Sequence, residues 1–286
     1  MNHRVRPEAA APIGVFDSGL GGLTVVRRLQ EVLPHERIVY LADQAHVPYG
    51  GRELSEVCGF ACGISAALLD YGCKAIVMAC NISSATALPV VQSEHSGVPL
   101  LGVILPGAQA AIAQTRNGRI GVLATAGTVK SGAYTRALHR LDPETQVTEV
   151  ACPAFVPLVE AGELDTPAAF AAARDYLAPL QTAGADTAIL GCTHYPFLLP
   201  TLRALAPELR FVDPAEQTAC ALAERLSQAR LLAPATIGND SPPRHRLATT
   251  GDAIAFAAQL RRFLPDAAQT ADIVPARWRS GTLHLG

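Results

Sequence analysis

Short runs of consecutive apolar residues, each stopping at a polar residue or a glycine and each followed by a helix-like stretch, limit this chain to few folds. They are IGVF before Asp17, IVYLA before Asp43, AIVMA before Cys80, GVIL before Pro106, IGVLA before Thr125, TAIL before Gly191 and FV before Asp213. A strand covered on one face alternates apolar and polar residues, whereas a strand covered on both is apolar throughout. The pattern predicts an α/β fold of mainly parallel strands.

The chain also repeats itself on the scale of a domain. IGVFDSGLGGLTV, from Ile13, is echoed by IGVLATAGTVKSG, from Ile120, and each is followed by a strand-like run that stops at a cysteine. The first cysteine segment is AIVMACNISSATAL (75–88) and the second TAILGCTHYPFLL (187–199); Gly14 to Cys80 is 66 residues and Gly121 to Cys192 is 71. Two similar α/β units follow, facing each other across a cleft. The expected division is a first domain of residues 12–104 and 213–265, a second of 105–212, and a C-terminal tail, 266–286, that is mobile or straps over the first domain. In open parallel sheets ligands bind at the carboxyl ends of the strands, and clefts between domains favour small molecules. Cys80 and Cys192 are therefore expected to face one substrate from opposite sides, as moving a proton from one face of a carbon to the other requires.

Local sequence adds to this. Asn81 and the small residues after it read as a first helical turn, so the Cys80 thiol would see unpaired amides and the positive end of a dipole, which favour thiolate. His194, two residues beyond Cys192, can exchange a proton with that thiol or bind a carboxylate. Asp17 ends the first strand at the sheet edge of Cys80, where a carboxylate can orient an ammonium group or assist proton traffic. Pro48, Tyr49 and Gly50 suit a turn that brings backbone amides close to an anion. Thr125, Thr128 and Ser131 offer hydroxyls at the edge of the second unit, either for a carboxylate or as helix caps.

Several classes are excluded. Of 286 residues 49% are apolar and 17% charged, which is a globular composition. The net charge of −2, with no basic run, argues against nucleic acid as a partner. The stretch MNHRVRPEAAAPIG has no apolar signal core and no segment offers eighteen uninterrupted apolar residues, so a soluble cytoplasmic protein without membrane contact is expected. The cysteines number seven, loosely spaced and without a CxxC pair, which speaks against a disulfide framework or a zinc ribbon; Cys58, Cys62 and Cys73 are assigned to packing. The only lysines, Lys74 and Lys130, have no Schiff-base setting, and GLGGLT lacks a glycine of the dinucleotide fingerprint. No cofactor is expected.

From Ile13 to about Ala223 the chain resembles the cofactor-independent glutamate racemases of bacterial cell-wall synthesis. The resemblance is carried by FDSGLGGLTV, ADQAHVPYG, ACNISSATAL, GVILPG, SGAYTRAL, ACPAFVPLVEAGE, LGCTHYP and VDPAEQTA. It implies two pseudo-symmetric α/β domains around a buried cleft. Cys80 and Cys192 would be the paired acid and base, Cys80 taking the α-proton of the D-enantiomer while Cys192 protonates the opposite face. Asp17 and His194 would assist them, with Asp43 and Glu160 as supporting polar groups. Ser18, Tyr49, Gly50, Asn81, Thr193 and His194 would hold the substrate, glutamate. One position departs from the family pattern. Ile82 stands where threonine is usual, which removes a hydroxyl from the carboxylate site unless Ser83 or Ser84 replaces it. Aspartate, or another acidic amino acid, is the alternative substrate. A thiol hydrolase built on Cys192 and His194 leaves Cys80 unexplained, and a non-catalytic binding protein on this fold is the third alternative. Monomer and homodimer are equally open.

Overall fold

The computed structural model describes residues 8–234, 243–263 and 271–286. The basic N-terminal stretch as far as residue 7, and residues 264–270, where the first domain was expected to give way to the tail, lie outside the described residues.

The chain first lays down β1 (Ile13–Asp17), α1 (Leu23–Val32), β2 (Ile38–Ala42), α2 (Leu54–Asp70), β3 (Ala75–Met78), α3 (Asn81–Glu94) and β4 (Leu100–Gly102). It continues through α4 (Ile104–Gln114), β5 (Arg119–Ala124), α5 (Ala126–Ser131), α6 (Ala133–Leu141), β6 (Gln146–Ala151), α7 (Phe155–Ala161), α8 (Pro167–Thr182), β7 (Thr187–Gly191), α9 (Leu199–Leu205) and β8 (Arg210–Val212). Last come α10 (Pro214–Gln228), β9 (Arg246–Thr249), α11 (Ala253–Phe263), β10 (Asp272–Arg279) and β11 (Thr282–Leu285). A seven-stranded sheet runs β11-β10-β9-β2-β1-β3-β4 and a four-stranded sheet β6-β5-β7-β8. Every pairing is parallel except that of β10 with β11. The order β6-β5-β7-β8 is the order β2-β1-β3-β4 with each strand number raised by four, so the sequence repeat is also a repeat of topology.

Continuous apolar runs are explained by burial on both faces. Along β1, Val15 packs into a cluster with Leu23 and Leu29 of α1 and Leu222 of α10, while its neighbour Phe16 packs with Ile64 and Leu68 of α2 and Val91 of α3. The second sheet behaves alike: Leu123 joins Phe155 of α7 and Leu177 of α8, and Val122 joins Ala108 of α4 and Tyr134 of α6. Fully burying one such side chain contributes about 1.5–3 kcal/mol. Local capping agrees with the pattern. Thr166 and Asp213 precede a proline at the first helical position, and each accepts an amide hydrogen bond from the turn it caps, at 3.3 and 3.0 Å.

Two readings of the sequence are corrected. GVIL before Pro106 is not a strand: β4 ends at Gly102 and Ile104 opens α4, because a proline in the first helical turn removes an amide that has no partner there anyway. Of the expected tail, residues 272–285 are neither loose nor a strap; they form β10 and β11 and extend the first sheet beyond β9. Among the described residues no helix is long and apolar enough to cross a membrane.

Candidate active site

The carboxyl ends of β1, β3, β5, β6 and β7 converge on a cavity of about 380 Å³. Asp17 and Ser18 reach it from β1, Cys80, Asn81 and Ile82 from the turn between β3 and α3, and Cys192, Thr193 and His194 from the turn after β7. Tyr49 and Gly50 close one side from a loop that begins at the cis Val47–Pro48 bond, and Glu160 of α7 closes another. Both thiols thus open on one cavity, from different sheets. Of the residues that the family resemblance implies at the site, Asp43 alone lies behind the wall: it is fully buried and its Oδ2 accepts the Tyr49 hydroxyl at 2.6 Å.

Cys80 is the N-cap of α3. The helix start was expected to favour thiolate, but burial outweighs it and pushes the Cys80 thiol up to about 12; Asp17 and Cys192 add to that rise, and the hydroxyl and amide of Ser83 oppose it. Cys80 can therefore donate as a thiol, and must lose that proton before it can act as a base.

The second half of the site is polar. The Cys192 sulfur lies 3.9 Å from His194 Nδ1, and His194 Nε2 lies 3.3 Å from Glu160 Oε1, at ion-pair distance although out of line for a hydrogen bond. Burial alone would lower the proton affinity of His194, but Cys192, Glu160 and Asp17 together raise it to about 10. A buried imidazolium next to the sulfur can pass a proton to it or take one back.

Asp17 joins the two halves. Its Oδ2 accepts the Gly22 amide at 2.8 Å and the Thr193 hydroxyl at 3.2 Å, while Oδ1 is buried without a partner. A carboxylate oxygen left unpaired at a cavity wall suits an incoming ammonium group. Asn81 is fixed from α6, which packs on the second sheet, its Oδ1 accepting the Tyr134 hydroxyl at 2.7 Å.

Neither serine replaces the hydroxyl missing at Ile82. Ser84 donates to Met78 O at 2.7 Å and accepts from the Val103 amide at 3.2 Å, so it holds α3 against β4. Ser83 is buried beside Cys80 and does not line the cavity. Ile82 packs with Tyr49, Val57 and Cys80, and its tip fills the place where a side chain on Gly127 would be: a β-carbon there would lie 2.3 Å from Ile82 Cδ1.

Thr125 and Thr128 also line the cavity, and Thr125 caps α5 as well, accepting the Thr128 amide at 3.4 Å; Ser131 is not part of the lining. Sequence reasoning missed a third thiol. Cys152 lies in the wall with Pro153, Val156 and Pro157, its proton affinity raised by burial. The signal was present: Cys152 follows β6 directly, as Cys192 follows β7.

A cavity between two repeated α/β units, walled by thiols from both, suits a racemase, which must reach one carbon from two faces. The chain belongs to the Asp/Glu/hydantoin racemase family, whose model matches residues 13–222. Within that family its similarity is to glutamate racemases. It is 44% identical to the glutamate racemase of Microcystis aeruginosa over 91% of this chain and 90% of that one, and 44% identical to that of Corynebacterium glutamicum over 92% and 96%. Among solved structures, glutamate racemase isoform RacE1 from Bacillus anthracis superposes with a TM-score of 0.88 at 36% identity, covering 96% of this chain and 100% of that one. The Francisella tularensis glutamate racemase in complex with D-glutamate superposes with a TM-score of 0.85 at 33% identity, covering 93% and 98%.

Proposed function

We infer that this protein interconverts L- and D-glutamate by passing the α-proton between two sulfurs, and so supplies D-glutamate for peptidoglycan in the cytoplasm. The observation that carries the reading is the opening of Cys80 and Cys192 onto one cavity from equivalent positions of the two sheets. With D-glutamate bound, the Cys80 thiolate takes the α-hydrogen as a proton and the C–H pair stays on carbon. The Cys192 thiol then gives its proton to the opposite face and is left as thiolate. For L-glutamate the roles reverse. An α-hydrogen beside an ammonium and a carboxylate is a weak acid, so fixed donors and exclusion of water must stabilise the carbanion-like transition state. Asp17 Oδ1 is the acceptor available for the ammonium, the amides and side chains of Ser18, Gly50, Asn81 and Thr193 are set around the carboxylates, and His194 keeps Cys192 supplied with a proton.

Incubation with either enantiomer in deuterated water tests this. The wild type should racemise from both sides with α-deuteration, and Cys80→Ser or Cys192→Ser should each lose at least about 100-fold in rate, as removal of a general acid or base does. A single variant that still racemises at the wild-type rate would sink the two-thiol reading. If neither glutamate enantiomer exchanges its α-proton, the substrate is wrong, and aspartate is the next to try.

A further inference from the structure

Asp43 has no exposure, yet its carboxylate accepts four hydrogen bonds. Oδ2 takes the Tyr49 hydroxyl at 2.6 Å and His46 Nδ1 at 2.8 Å; Oδ1 takes the Thr250 hydroxyl at 2.8 Å and Trp278 Nε1 at 2.9 Å. Of the four donors only Tyr49 lines the cavity. Thr250 directly follows β9 and Trp278 lies in β10, so half of the support comes from strands laid down after the second sheet. The route to Asp43 is kept open by Gly63 of α2, where a β-carbon would lie 2.8 Å from the tip of the indole. Phe60 and His46 hold the rings in place: they stack at 3.9 Å, and His46 meets Trp278 edge-on at 5.5 Å.

A buried carboxylate with four donors leaves none of its usual acceptor sites idle. Without the indole N–H one acceptor site is unpaired in a dry place, and the planar group regains a partner only by turning. Turning it also moves Oδ2, to which the Tyr49 hydroxyl is bound. Tyr49 then carries the displacement into the cavity, because Gly50 is wedged against the second sheet: a β-carbon on it would sit 2.9 Å from Thr125 Cβ.

We propose that Trp278 is a positioning residue for the substrate loop, and that β10 sets the Val47–Gly51 wall of the cavity through Asp43 and Tyr49. The proposal rests on the racemase reading of the cavity. Trp278→Phe keeps an aromatic ring and removes the donor, so it should raise KM for both enantiomers about tenfold while kcat stays within about twofold. Gly63→Ala displaces the indole without deleting any donor and should raise KM in the same way. The decisive measurement crosses Trp278→Phe with Tyr49→Phe, in KM and in thermal stability. If both act through one carboxylate, the double variant is little worse than Tyr49→Phe alone. An unchanged KM in both single variants, or effects that simply add, overturns the proposal. A wild type without racemase activity overturns the functional reading instead, and the stability cycle, which needs no turnover, still decides the link between Trp278 and Tyr49.

Discussion

On the proposed racemase reading, Ile82 changes the wall of the site and leaves its two thiols in place. It brings a hydrocarbon branch to the cavity wall, where the proposed glutamate site calls for a hydroxyl, and Gly127 makes room for it. Ile82→Thr should lower KM for glutamate, while costing about 1–2 kcal/mol of stability for the lost packing; an unchanged KM would mean that the hydroxyl is irrelevant. Gly127→Ala should destabilise the wild type, since its β-carbon meets Ile82 Cδ1, and do less harm in the Ile82→Thr background; thermal melts of the four proteins check this. His194 supplies a pH test. Its affinity for a proton rises on folding to about 10 from the ordinary histidine value of 6.5, so the stability it adds is full below about pH 6.5 and lost as the pH rises through about 10. The melting temperature of wild type minus that of His194→Asn, plotted against pH, should fall over that window. At this scale the sequence was informative where a residue ends a continuous apolar run, as Asp17, Cys80 and Cys192 do, and not at Cys152, which follows the mixed run of β6. It marked Asp43 as a strand end and a supporting polar group but not as a hub, because a hub is defined by its partners, and two of its four donors, Thr250 and Trp278, are 207 and 235 residues away.

Elements were legible where burial on both faces left a continuous apolar run, and β9, whose RLAT is short and mixed although buried, was not among them. The central strands gave continuous apolar runs. β6 was missed because it is an edge strand, half-buried along its length, and QVTEVA mixes polar with apolar residues accordingly. β10 was missed because Pro275 and the charges of DIVPARWR conceal a strand that lies between β9 and β11. Between β1 and α1 the glycines serve approach, not flexibility. A β-carbon on Gly21 would lie 2.3 Å from Thr193 Oγ1 and 2.5 Å from His194 Nδ1, so this turn and the one after β7 touch backbone to side chain. Gly21→Ala should push His194 away from Cys192 and lower kcat at least about tenfold with the fold retained. Circular dichroism beside initial rates reads both halves of that expectation, and an unaltered kcat would show that the contact is not needed for turnover.

For the molecule as a whole, the two sheets are joined by α4 packed on α10 and by ties at the cavity. Tyr134 donates to Asn81, Thr193 donates to Asp17, and Gly50 meets Thr125, all between the first sheet's loops and the second sheet's. An exposed ion pair, Lys130 with Glu53 at 3.5 Å, spans the same junction. These ties differ in worth. Tyr134→Phe leaves a buried Asn81 oxygen unpaired and should cost about 1–3 kcal/mol, together with weaker glutamate binding. Lys130→Ala removes a solvated pair and should change neither the melting temperature nor KM measurably.

The path of the chain between the sheets bears on how the protein is made. A ribosome delivers β1 to β4, then the whole of the second sheet, and only afterwards β9 and β10, which complete the first. Domains fold as units as they emerge, so the second sheet can form while the first still has a bare edge at β2. Until the last strands arrive Asp43 lacks Thr250 and Trp278, two of its four partners. The nascent chain therefore carries both thiols before Asp43, and the Tyr49 hydroxyl bound to it, has its full set of supports.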